Sequence, residues 1–239
     1  MSTLHVLSID FDVFPQVSFR TMIQCYPDGL DLPTELSECI WSYHYATPQG
    51  RKLLEQIYIP SETIKQLLEY IKKNTASDIP CLIAQSHKSI YPWILKQYHH
   101  ESVSIYHLDT HEDRENQNKT LDCGNWLSFL ERTIRNVSVT WIANPVTKDY
   151  YNIPDTHPLP YTTDLRTLKD KPIDAIFLCR SDNWVPPHLD PIFDHLKTEL
   201  SQQFPNTQIE SCVNHPRTID RSIQNAFASL HALQEQTAV

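Results

Sequence analysis

The chain has 239 residues, 40% of them hydrophobic and 10% aromatic, which is enough apolar material for one large core and excludes global disorder. A formal net charge of −9 argues against a general nucleic-acid binder, which needs a basic face to neutralise phosphates. With only three glycines, the chain also lacks a glycine-rich phosphate-binding loop. The acidity is compatible with a cationic substrate.

The sequence contains no N-terminal signal pattern and no run of about 18 apolar residues. Its six cysteines are scattered singly, without a Cys-x-x-Cys pair, and Cys81 and Cys179 lie inside apolar runs, as buried free thiols do. We therefore expect a reduced, cytoplasmic protein that does not interact with membranes. Its length favours a single domain over residues 1–239.

Strand and helix patterns alternate along the chain. Apolar runs with β-branched or aromatic residues predict strands at residues 4–9, 80–84, 103–108, 137–142, 173–179 and 208–212. Apolar residues spaced three or four apart predict helices at residues 61–74, 89–98, 125–135, 187–203 and 218–235. The polar, proline-rich residues 144–172 predict a long irregular excursion. The alternation predicts an α/β fold with three α/β/α layers and a mainly parallel sheet.

Candidate metal ligands follow three of these predicted strands. They are Asp10 and Asp12 after the first strand, His87 after the second, and Asp109, His111 and Asp113 after the third. Residues two apart point the same way if strand geometry continues, and the carboxyl ends of parallel strands share one edge of a sheet. The sequence therefore predicts that these six side chains converge.

Four carboxylates and two imidazoles suit manganese, iron or zinc. This number of ligands is enough for two divalent ions with shared carboxylates, which lower the pKa of a bridging water. Loss of a proton from this water would give a hydroxide near neutral pH, which would attack a planar, weakly electrophilic carbon, such as that of a guanidinium or amide. Two simpler interpretations remain: the segment from Asp109 to Asp113 is a polar loop, and His87 is a hydrogen-bonded histidine at a helix N-terminus.

Five motifs together resemble the arginase (ureohydrolase) superfamily, and more narrowly the arginase-like family that includes peptide arginases. They are LSIDFDVF at 7–14, AQSHKSIYPW at 84–93, HLDTHED at 107–113, CGNWL at 123–127 and CRSD at 179–182. In ordinary arginases the Asp-x-Asp strand follows the Asp-x-His-x-Asp strand. Here it opens the chain, so the resemblance implies an arginase-like fold with a permuted motif order.

The resemblance implies a hydrolase with two Mn²⁺ ions, for which Fe²⁺ or Co²⁺ are possible substitutes. Peptide arginases convert arginine residues of ribosomally made precursor peptides to ornithine and release urea, so an arginine-containing precursor peptide is the expected partner. Carried over residue by residue, one ion is held by His87, Asp109, Asp113 and bridging Asp10, and the other by His111, Asp12 and the bridging pair Asp109 and Asp10. Asp10, Asp109 and His111 would hold the bridging hydroxide.

A carboxylate must also bind the substrate guanidinium, and Asp182 and Glu112 are the candidates. Asp182 could instead cap a helix, and strand parity would turn Glu112 away from the ligands. Asn125 and Trp126 are expected to line the pocket, although Trp126 could equally be core packing. In ordinary arginases a histidine thought to shuttle protons follows the Gly-Asn pair. Trp126 and Leu127 follow it here, so no proton shuttle is assigned.

Two other functions remain open. A ureohydrolase or amidohydrolase acting on a small guanidino compound would need the same metal core. A non-enzymatic binding or regulatory protein would use the carboxylates for one structural metal or none, but six ligands from three strand ends exceed that need. The oligomeric state is open.

Overall fold

The centre of the protein is a parallel β-sheet, seen in a computed structural model that describes residues 2–26, 31–97, 99, 102–115, 119–151, 161–219, 222 and 225. Within these residues the strands are β1 (Thr3–Asp10), β2 (Cys81–Ala84), β3 (Ser102–Leu108), β4 (Val137–Ile142), β5 (Tyr161–Thr162), β6 (Ala175–Cys179) and β7 (Gln208–Ile209). They form a seven-stranded sheet of order β5-β4-β3-β1-β6-β2-β7. All neighbouring strands are parallel.

Helices connect these strands. They are α1 (Phe19–Cys25), α2 (Thr34–Ala46), α3 (Pro48–Leu54), α4 (Ser61–Asn74), α5 (Ile90–Gln97), α6 (Trp126–Thr133), α7 (Thr147–Tyr150) and α8 (Asp190–Gln203). Short 3-10 helices cover Phe11–Val13, His87–Ser89, Leu165–Leu168, Pro187–Leu189 and Ser211–Val213.

Two hydrophobic clusters cover the two faces of the sheet. Along β1, Val6 belongs to one cluster whereas Leu7 and Ile9 belong to the other, as expected when successive side chains of a strand point to opposite faces. Buried residues of α4 and α8 belong to the cluster of Leu7 and Ile9, so these helices cover one face of the sheet. Buried residues of α5 and α6 belong to the cluster of Val6, so these helices cover the other face. The protein is therefore a three-layer α/β/α structure with a parallel sheet, as predicted.

The predicted strands are all present, although β7 is shorter than expected. The predicted helices at 61–74, 89–98, 125–135 and 187–203 correspond to α4, α5, α6 and α8. Most of the predicted helix at 218–235 lies outside the described residues. The expectation of an irregular excursion at 144–172 was wrong in its described part, which contains α7, β5 and a 3-10 helix. Helices α1, α2 and α3 were not predicted.

The six cysteines are free thiols. Cys81 and Cys179 are buried in β2 and β6, and burial raises the pKa of both thiols, that of Cys81 to about 12. Both therefore remain neutral and serve as core residues.

The described part of the chain contains no helix that combines the length and the apolar character needed to cross a membrane.

Four neighbouring central strands deliver polar residues to one edge of the sheet. In the order β3, β1, β6 and β2, these strands end next to Asp109, Asp10, Arg180 and Gln85. Parallel α/β sheets bind their ligands at this carboxyl edge. The candidate ligands are therefore assembled where the fold class places binding sites.

Candidate metal centre

Three carboxylates surround the His87 imidazole. Its Nδ1 lies 3.2 Å from Asp10 Oδ2, 2.9 Å from Asp109 Oδ2 and 3.0 Å from Asp113 Oδ2. All four side chains are buried. Because unneutralised buried charge is strongly disfavoured, three carboxylates at this distance require positive charge among them.

The sheet and its neighbours direct His87 Nδ1 towards these carboxylates. His87 opens the 3-10 helix that follows β2, and its Nε2 lies 2.7 Å from Ser8 Oγ on β1. The ring stacks on Phe177 with centroids 5.5 Å apart. A hydrogen-bonded histidine at a helix N-terminus accounts for Nε2 but not for Nδ1, which faces three carboxylate oxygens at 2.9–3.2 Å. A partner at the outer nitrogen is what orients a metal-binding histidine.

A second group forms around His111. Its Nδ1 lies 3.0 Å from Asp12 Oδ2 and 3.3 Å from Asp109 Oδ1. Asp109 thus presents Oδ2 to His87 and Oδ1 to His111. One carboxylate therefore joins the two groups, as a bridging ligand would.

The convergence arises from turns rather than from continued strands. The chain enters a 3-10 helix directly after Asp10, whose Oδ1 accepts from the Asp12 amide at 3.1 Å. Strand β3 ends before Asp109, and Asp113 has a φ of 52°, the left-handed region that non-glycine residues rarely adopt. The Thr110 amide donates to Asp12 Oδ1 at 3.1 Å and joins the two turns. The strands therefore do not continue through the ligands as the sequence pattern predicts, although the six ligand side chains do converge.

His107 is a neighbour that the sequence reasoning missed. It lies in β3, fully buried, with Nε2 at 3.7 Å from Asp109 Oδ2 and 4.0 Å from Asp113 Oδ2. Burial lowers the pKa of His107 to about 3, so its imidazole is neutral, and Nε2 donates to the His111 carbonyl at 3.0 Å. His107 therefore positions the turn that carries His111. A histidine two residues before Asp109 in a buried strand was the available signal.

The donor set fits a hard divalent cation. Asp12 Oδ2, His87 Nδ1 and Asp109 Oδ2 are buried, and each faces another ligand atom at 2.9–3.0 Å. Ligands at about 2.1 Å from one octahedral ion are about 3 Å apart, which is the spacing seen here. The buried group of His87, His107, Asp109 and Asp113 could therefore hold a metal ion.

Protons compensate the crowded charge in the metal-free protein. Burial, with the nearby Asp10 and Asp109, raises the pKa of Asp12 from 3.8 to about 7. For His87 and His111, burial acts to lower the pKa, but the surrounding carboxylates outweigh it and raise the pKa of both imidazoles. A bound cation would displace these protons, so metal binding should release protons.

We expect the stabilisation by Mn²⁺ to grow as pH rises. A carboxyl whose folded pKa is raised to about 7 contributes stability that is present below 3.8 and is lost as pH rises through 7. The raised pKa values of His87 and His111 act in the same direction. The measurement is the Tm of EDTA-treated and Mn²⁺-loaded protein between pH 5 and pH 8. A difference in Tm that does not change with pH would contradict this prediction.

Asp182 lies after β6 but does not offer a free carboxylate. Arg180 donates from Nε to Oδ1 at 2.5 Å and from Nη2 to Oδ2 at 3.0 Å, and Thr34 Oγ1 donates to Oδ2 at 2.7 Å. The side chain is buried. An internal guanidinium thus occupies the fork that a substrate guanidinium would need. These contacts argue against Asp182 as a catalytic or substrate-binding residue, and it caps no helix.

Asn125 and Trp126 support the site from within the protein. Both are fully buried. Asn125 Oδ1 accepts from the Asp122 amide at 2.8 Å and Nδ2 donates to the Thr120 carbonyl at 2.9 Å. Trp126 Nε1 donates to Asp113 Oδ2 at 2.5 Å. Neither lines the cavity beside the ligands, so the expectation that they contact substrate is not supported, and Trp126 instead orients Asp113.

A cavity of about 140 Å³ opens beside the ligands. Its lining combines candidate ligands, further carboxylates and aromatic rings: Asp10, His111, Asp113, Glu112, Glu115, Asp122, Tyr151 and Trp184, together with Cys123, Gly124 and Ser181. Glu112 lines this cavity because the chain leaves the strand at Leu108, so the parity argument against it was wrong. A larger cavity of about 520 Å³ lies between α4 and α8 and shares none of these residues.

Comparisons with protein-family models, curated proteins and solved structures gave no match. The class of protein therefore rests on the fold and the buried group: it is a three-layer α/β/α protein with a candidate metal centre at the carboxyl edge of its sheet. Membership of the arginase superfamily stays a prediction.

Proposed function

We propose that the protein is a binuclear metal hydrolase that converts arginine residues of a ribosomally made precursor peptide to ornithine and releases urea. One observation carries the proposal: two groups of carboxylate and imidazole donors share Asp109 beside a cavity with an acidic lining. A single structural metal would account for one such group but not for two joined groups next to a cavity.

Each group would hold one ion, Mn²⁺ in preference to Fe²⁺ or Co²⁺. The first would be bound by His87, Asp109, Asp113 and Asp10, and the second by His111, Asp12 and the bridging pair Asp109 and Asp10. When bound, the two ions would supply a shared water of lowered pKa near neutral pH. Ser8 and Trp126 would keep His87 and Asp113 oriented through the hydrogen bonds described above.

The cavity lining supports a cationic substrate group. Glu112, Glu115 and Asp122 face the same small space as the candidate ligands, and a planar guanidinium pairs well with a carboxylate in a bidentate fork. We propose Glu112 as the carboxylate that binds the guanidinium, because it adjoins His111 in the chain and lines the cavity.

The experiment is co-expression with an arginine-containing precursor peptide encoded beside this gene, followed by mass spectrometry of the peptide. Hydrolysis to ornithine removes about 42 Da per arginine. The control is co-expression with the Asp109→Asn variant, which should leave the peptide mass unchanged.

Absence of a mass shift on every neighbouring peptide, with Mn²⁺-loaded protein, would contradict the peptide substrate. Urea release from free arginine or agmatine by that same protein would then identify a small guanidino compound as the substrate. Absence of urea from these compounds as well, with metal bound, would contradict hydrolysis and favour the non-enzymatic alternative.

A further inference from the structure

A network of buried ion pairs holds the segment that follows β6. Arg217 binds the Asp190 carboxylate through Nη2, 2.6 Å from Oδ1, and through Nε, 3.2 Å from each oxygen. The neighbouring Arg180 binds Asp182 in the same forked manner. The side chains of Arg180, Asp182 and Arg217 are fully buried and that of Asp190 is nearly so. Removal of one member would leave an unpaired buried charge, so the pairs hold their segments together firmly.

The Asp182 backbone carbonyl is the point on which this network converges. It accepts from Ser37 Oγ at 2.6 Å, from Trp41 Nε1 at 2.7 Å and from Arg217 Nη1 at 2.5 Å. A carbonyl oxygen has two lone pairs, so three donors from α2 and from the C-terminal segment over-determine the position of this peptide. Arg180 adds donors to the carbonyls of Cys212 and His215.

The turn that contains Asp182 is held in an uncommon conformation. Ser181 has a φ of 58°, which non-glycine residues adopt only where the surroundings enforce it. The Ser181 carbonyl accepts from the amides of Trp184 at 2.9 Å and Val185 at 3.0 Å, which closes the turn. The position of Trp184 therefore depends on the position of the Asp182 peptide.

Trp184 connects this turn to the candidate metal centre. Its indole packs on the His111 imidazole with ring centroids 4.4 Å apart, and Trp184 and Ser181 both line the cavity. His111 also faces Asp12 and Asp109 through Nδ1. The direction of Nδ1 towards the carboxylates thus depends on where Trp184 places the ring.

We propose that Arg217 is a positioning residue for His111, and that it acts through the Asp182 peptide and Trp184. The C-terminal segment would in this way set one of the two ligand groups, although Arg217 is neither a candidate ligand nor among the residues that line the cavity. The effect on metal binding rests on the proposed function, whereas the effect on the orientation of the His111 ring does not.

The test measures the ¹H–¹³C signals of the His111 and His87 rings in the EDTA-treated full-length chain. We expect Arg217→Lys, which keeps the charge but loses the fork, to move the His111 signals and leave those of His87 in place. Ser37→Ala removes one donor to the Asp182 carbonyl with little loss of packing, and it should move the same signals. It provides the test if Arg217→Lys fails to fold. Trp184→Ala should move them further, and adding Arg217→Lys to it should have no additional effect.

Leu200→Ala is the matched control. Leu200 is fully buried on α8, so its truncation destabilises the core without touching the network, and the His111 signals should not move. In Mn²⁺ titrations, Arg217→Lys should weaken the binding of one of the two ions roughly tenfold. Leu200→Ala should weaken the binding of neither.

Unmoved His111 signals in both Arg217→Lys and Ser37→Ala, or equal movement in Leu200→Ala, would overturn the positioning role. Wild-type protein that binds no Mn²⁺ would instead contradict the proposed function, while the His111 signals would still decide whether Arg217 positions the ring.

Discussion

Replacement of Asp109 by asparagine is expected to abolish binding of both metal ions and to reduce turnover by roughly 10³-fold or more. Among the residues that the structure describes, Asp109 is the carboxylate whose two oxygens face different imidazoles, Oδ2 towards His87 and Oδ1 towards His111. Asparagine keeps the size of the side chain but carries no charge and only one acceptor oxygen. Both groups therefore lose a ligand with one substitution.

The measurements for this variant are Mn²⁺ stoichiometry by titration calorimetry and turnover of the arginine-containing peptide. Asp174→Asn provides the control. Asp174 lies just before β6, at the edge of the sheet opposite to the candidate ligands, and contacts His5. The control should keep both ions and full turnover. An Asp109→Asn protein that still binds two Mn²⁺ would show that Asp109 does not bridge.

Replacement of Asp12 by asparagine is expected to remove one ion, leave the other and lower turnover roughly 10²-fold or more. Asp12 Oδ2 faces His111, whereas the carboxylates that face His87 are those of Asp10, Asp109 and Asp113. The same variant should stabilise the metal-free protein at pH 8 by something on the order of a few kcal/mol. The reason is that the raised pKa of Asp12, about 7, shows that its charged form is unfavourable in the fold.

Asp113→Asn is the counterpart on the other side of Asp109. Asp113 faces His87, so this variant should lose the ion at His87 and keep the ion at His111. Titration of both variants with Mn²⁺ and denaturant unfolding of their metal-free forms provide the comparison. Asp12→Asn protein that binds two ions, or that is less stable than wild type without metal at pH 8, would contradict the assignment.

The local patterns that depend on few neighbours could be predicted from the sequence. The strands are continuous apolar runs because a parallel sheet is buried on both faces, and α4 shows its buried side as Ile64, Leu67 and Ile71. Helix α2 escaped prediction because its buried positions include Ser37 and Ser42 beside Trp41 and Tyr45, which hides the apolar period. These serines are buried because of tertiary contacts, such as that of Ser37 with the Asp182 carbonyl.

The direction of side chains beyond a strand end could not be predicted. Parity holds only while the backbone stays extended, and the chain turns immediately after Asp10 and after Leu108. Glu112 consequently lines the cavity although strand parity turns it away. The link between His107 and the turn that carries His111 also needed the folded backbone, because it joins a side chain to a carbonyl.

The sequence by itself determined the class of fold and the six candidate ligands, because apolar periodicity and the edge rule of parallel sheets act through local order and strand ends. Only the tertiary structure decided that Asp109 lies between two imidazoles and that Asp182 is already paired with Arg180. Only it brought Arg217 to the Asp182 carbonyl. These contacts join residues from separate elements or side chains whose rotamers packing selects, and sequence spacing carries no information about either.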